Sequence, residues 1–75
     1  MEIRLKINDK FIEGLKEQTG ITSTTQLTTE AFTFLKWAVN ESQKGRVIVS
    51  EDQDGTEEKE VVMPSLQNAK LLATA

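Results

Sequence analysis

With 75 residues, no cysteine and no histidine, the chain has room for one domain and excludes disulfides, thiolate metal sites and the commonest general base. A chain this short buries only about 60% of its unfolded surface. It needs a staple; with disulfides and the usual metal ligands gone, a second chain is the one left, so oligomerisation is expected. The net charge of −3 is unevenly spread: residues 1–46 carry seven cations against six carboxylates, and residues 47–75 carry two against six.

In chain order, Glu2 to Ile7 alternates strictly, with Ile3, Leu5 and Ile7 on one face and Glu2, Arg4 and Lys6 on the other. That is the period of a half-buried strand. Asn8-Asp9 is a helix start signal, and Phe11, Ile12 and Leu15 follow at helical spacing. Gly14 weakens this first helix, and Gly20 suits a left-handed position just past its end. Thr22 or Ser23 suits the cap of a second helix, with Gln26 three residues after Ser23 as in a capping box.

Leu27, Ala31, Phe34, Leu35 and Ala38 then form an amphipathic stripe, which Phe32, Trp37 and Val39 widen. A helix apolar around so much of its circumference asks for burial on more than one side. Gly45 ends it. Arg46-Val47-Ile48-Val49-Ser50 and Lys59-Glu60-Val61-Val62-Met63 are strand-like runs on either side of an Asp54-Gly55 turn signal, so residues 46–63 are expected to form a β-hairpin. Pro64 stops the second run. Ser65 suits the cap of a short final helix with Leu66, Ala69 and Leu72 on one face; the other reading of residues 65–75 is a disordered tail. The lone N-terminal strand has unpaired backbone groups, which either the hairpin or a second copy could satisfy.

The order strand, short helix, long helix, together with Ile3-Arg4-Leu5-Lys6-Ile7, the Asn8-Asp9 cap, Thr19-Gly20-Ile21-Thr22-Ser23-Thr24 and the Leu27/Ala31 pair, resembles the ribbon-helix-helix family of DNA-binding proteins (Arc/MetJ/CopG type). The short first helix is similar to the VapB-type antitoxins of that family. The resemblance covers roughly residues 2–44. It implies a mainly α homodimer with a β-ribbon, the N-terminal strands pairing between chains and lying in the major groove of DNA.

On that resemblance residues 1–45 form the dimerisation and DNA-binding domain, and residues 46–75 form an acidic extension. Ile3, Leu5, Ile7, Leu27, Ala31, Phe34, Leu35, Trp37 and Ala38 are then the dimer core. Arg4 and Lys6 meet base edges. Glu2 either accepts a hydrogen bond from cytosine N4 or is a solvated charge. Thr22, Ser23, Thr24, Thr25 and Lys10 contact phosphate.

The function these features imply is a transcriptional repressor, or an autoregulating antitoxin whose residues 46–75 also cap a toxin. Two dimers are expected on a palindromic operator. The alternative is an interaction or dimerisation module that does not bind DNA, which the acidic balance favours. No cofactor or metal is expected. Enzymatic activity is not expected either, because no paired carboxylates suggest a shared pocket. Without an apolar stretch behind a basic start, or any run of ~20 apolar residues, a soluble cytoplasmic protein is expected.

Overall fold

The computed structural model describes residues 1–74; Ala75, the end of the tail read from the sequence, lies outside the described residues. The described residues form three helices and one small antiparallel sheet: α1 (Asp9–Thr19), α2 (Thr24–Gln43), β1 (Val49–Ser50), β2 (Lys59–Glu60) and α3 (Pro64–Thr74). Residues 1–8 belong to neither helix nor strand, so the strand expected over Glu2–Ile7 is not formed in the single chain, where its backbone has no neighbour to pair with. The contacts divide the chain into two compact units, Met1–Ala31 and the residues from Phe32 on.

In the first unit each helix end is closed by its own neighbours. The Asn8 side chain accepts the Lys10 N–H at 2.8 Å, which satisfies one of the amides a helix start leaves unpaired. At the other end Gly20 adopts φ 72° and donates its N–H to the Lys16 carbonyl at 2.9 Å. A side chain at that φ would be strained, which is why glycine stands there. Three residues on, Ser23 Oγ accepts the Gln26 N–H at 3.2 Å, so the cap of α2 is Ser23 and not Thr22.

In the second unit α2 ends with the Gly45 N–H on the Ser42 carbonyl and the Arg46 N–H on the Glu41 carbonyl. This is the paired closure that a left-handed glycine allows, and Gly45 has φ 80°. The sheet pairs Val49 with Glu60 and Ser50 with Lys59, so the hairpin expected over 46–63 has a short ladder. The Asp54-Gly55 turn has the expected chemistry: the Gly55 N–H reaches the Asp52 carbonyl, and Asp54 Oδ1 accepts from both the N–H and the hydroxyl of Thr56. These two bonds hold the exposed Asp54 carboxyl below its ordinary pKa of 3.8, the Thr56 hydroxyl contributing most. Glu57 takes a positive φ of 52°, uncommon without glycine, and there the chain leaves the regular ladder.

Pro64 opens α3 instead of only stopping the strand before it. The Met63 carbonyl accepts the Leu66 and Gln67 amides, so Met63 precedes the first turn, Pro64 sits where its missing N–H is harmless, and Ser65 is inside the helix. Of the face expected for this helix, Leu66 and Ala69 are buried, whereas Leu72 is 74% exposed. Ala38, Ser42, Leu66 and Ala69 are the buried residues among those described, all in the second unit.

Candidate nucleic-acid interface

The N-terminal segment borders two hollows of the first unit, which share Ile3, Thr24 and Thr28. Ile3, Leu5 and Ile7 line a hollow of about 390 Å³ together with Ile12 of α1 and Thr28 of α2. All three remain largely open, at 51%, 57% and 44% exposed. Their apolar row therefore has a floor but no lid. Among the described residues, no backbone group of residues 1–7 has a hydrogen-bond partner.

Glu2 and Arg4, together with Met1 and Ile3, line a second hollow of about 470 Å³ with Thr24, Thr25, Thr28 and Thr29. A guanidinium and the first turn of α2 thus border one space. Because the Gln26 amide is held by Ser23 Oγ, the amides of Thr24 and Thr25 have no acceptor among the described residues. Amides at a helix start favour an anion. Thr28 and Thr29 donate their hydroxyls back to the Thr24 and Thr25 carbonyls at 2.9 Å. They hold that wall of the hollow in shape and offer it oxygen atoms.

Of the base-reading residues expected from the sequence, Arg4 and Glu2 border this space. Lys6 is exposed and lines neither hollow, as does Lys10, expected on phosphate. Thr22 and Ser23 are exposed beside the same helix start. Thr28 and Thr29 were missed as site residues. The signal for them was their i+4 spacing from Thr24 and Thr25, which sets them on one helix face.

Along α2 the residues expected in a dimer core differ in exposure. Leu27 and Leu35 are half-buried and Ala31 is exposed. Phe34 and Trp37 are 61% and 49% exposed, with ring centroids 5.6 Å apart. Ala38 is 2% exposed; its own chain already covers it, so it has little surface left for a partner.

Glu41, on the last turn of α2, has an Oε2 without a hydrogen-bond donor; Arg46 Nε stands 3.7 Å away, an ion pair too long for a hydrogen bond. Among the described residues no cluster of acidic side chains suits a metal. No helix among them is long and apolar enough to cross a membrane. Comparison with protein-family models, curated proteins and solved structures returns no match.

Proposed function

We propose that the chain is a sequence-specific DNA-binding protein that acts as a homodimer and represses transcription by occupying a palindromic operator. The observation that carries this reading is the two-sided N-terminal segment. Its apolar row Ile3, Leu5, Ile7 lacks a lid, its backbone lacks partners, and its Arg4 borders the same hollow as the first turn of α2.

A second copy meets all three needs. Two such segments pairing antiparallel satisfy each other's backbone groups and cover the two apolar rows. Glu2, Arg4 and Lys6 are then left on the outer face of a two-stranded ribbon, a shape the major groove admits. Arg4 takes guanine O6 and N7, Lys6 reaches the same acceptors, and the Thr24 and Thr25 amides take a backbone phosphate. Two copies of Glu2, Arg4 and Lys6 give the outer face of the ribbon a net charge of +2, while the dimer as a whole carries −6.

The test is selection of bound duplexes from a random DNA pool, followed by titration at several salt concentrations. A recovered palindrome, and an affinity that falls steeply as salt rises, are expected. Arg4→Ala with Lys6→Ala should weaken binding to the selected site by about tenfold or more, since each good base contact is worth about 1–3 kcal/mol. Absence of binding at low salt, or affinity unchanged in the double variant while it stays folded, overturns the reading. It would leave the chain as a dimerisation module that does not touch DNA, the reading its acidic balance favours.

A further inference from the structure

The hairpin of the second unit has two edges of different character. Val49 faces Glu60 and Ser50 faces Lys59, and the Val61 N–H donates to the Ile48 carbonyl at 2.7 Å. Antiparallel ladders alternate, so Ile48 and Ser50 turn their backbone groups toward β2 and Val49 turns its own away. Val47 and Glu51 follow the same alternation. None of Val47, Val49 or Glu51 has an outward backbone partner among the described residues.

On the β2 side the sequence is Glu57-Glu58-Lys59-Glu60, a row of charges that discourages another strand from pairing there. On the β1 side Val47-Ile48-Val49-Ser50 carries no charge, glycine or proline. Val47 and Val49 are 53% and 39% exposed. A two-stranded hairpin by itself is marginal, and further strands stabilise it.

The geometry points to a second copy of this chain as the occupant of the open edge: β1 pairs antiparallel with β1 of another molecule about a two-fold axis at Val49, joining two hairpins into one sheet. The charges select this partner and this register. With Val49 opposite its own copy, Arg46 falls opposite Asp52 of the other molecule, and Asp52 opposite its Arg46. These are non-hydrogen-bonded positions, where side chains approach most closely. Within one chain Arg46 stands at the closure of α2 and Asp52 at the start of the hairpin turn, three residues to either side of Val49; Arg46 pairs there with Glu41, and Asp52 Oδ2 accepts the Thr56 hydroxyl at 3.5 Å. Arg46 is available for this: its side chain is 71% exposed and its own-chain partner Glu41 stands 3.7 Å away. The inference does not rest on DNA binding, and its test contains no DNA.

The chain has no cysteine, so a single introduced thiol reports one contact. Val49→Cys in the 75-residue chain should form a disulfide-linked dimer under mild oxidation. Residues paired across the axis lie about 5.5 Å apart, within disulfide range. Ser50→Cys should be slower by about tenfold or more, because its mate in this register is Ile48 and the two thiols stand too far apart. Added to Val49→Cys, Arg46→Asp or Asp52→Arg should each slow linkage about fivefold by setting like charges opposite one another. The two together should restore the original rate. Equal rates for the 49 and 50 variants, or a double charge swap no faster than the single ones, overturns the inference.

Discussion

Residues 1–31 and the residues from Phe32 on manage their apolar side chains differently. The first unit closes both ends of α1 and the start of α2 through Asn8, Gly20 and Ser23. Yet among the described residues it buries none, and Ile3, Leu5 and Ile7 stay about half open. The second unit keeps Ala38, Ser42, Leu66 and Ala69 away from water. Hydrogen bonds at helix ends contribute about 1 kcal/mol each, so they decide where a helix begins without making it stable on its own. Removing apolar area from water does that. The first unit is therefore well specified but under-stabilised, and the second is stabilised by a small core of its own.

The largest expected effect tests whether the first unit is completed by a second copy. Leu5→Asp should lower stability by about 3–5 kcal/mol if the apolar row is covered, because a carboxylate would be buried without a partner. Urea unfolding followed at several protein concentrations measures it. A change below about 0.5 kcal/mol, as for an ordinary exposed position, would remove the contrast between the units. Next in size, Leu66→Ala should cost about 2–4 kcal/mol, and Leu72→Ala, at 74% exposed, less than about 0.5 kcal/mol. Equal costs at these two positions would mean the second unit has no core of its own.

Smaller effects belong to the caps. Asn8→Ala and Ser23→Ala should each cost about 1 kcal/mol, read as lost helicity by circular dichroism together with a lower unfolding midpoint. The smallest effect concerns the hairpin turn. Because the Thr56 hydroxyl and amide hold the Asp54 carboxyl below 3.8, the stabilisation it contributes is fully present above that ordinary value. It is lost as pH falls through the lower folded value. An NMR titration of the Thr56 amide should give a midpoint below 3.8, and Thr56→Val should move it upward.

The sequence made the local devices legible and the long-range ones less so. Asn8, Gly20, Gly45 and the Asp54-Gly55 turn act within a few residues, so their chemistry is written in adjacent letters. Pro64 was read as a stop, although proline equally begins a helix; which role it takes shows only in the Met63 carbonyl, which accepts the Leu66 and Gln67 amides. The ladder shortened to two residues on each strand at its open end, where the Arg46 N–H closes α2 on the Glu41 carbonyl and the Met63 carbonyl receives the first amides of α3; those uses of the backbone are not written in the strand-like runs themselves. At the candidate interface, alternation separated Leu5 and Ile7 from Arg4, whereas Ile3 borders both hollows. Spacing sets Thr28 and Thr29 on the face of Thr24 and Thr25; that Arg4 borders the same hollow needed the path of residues 1–4 beside α2, which is tertiary placement.

Trp37 gives the chain a built-in optical probe. It is the single tryptophan, it lies half open on α2, and its ring stands beside Phe34. Indole emission moves to shorter wavelength when water leaves its surroundings. The colour of the intrinsic fluorescence therefore reports, without any label, whether this part of α2 faces solvent or another surface.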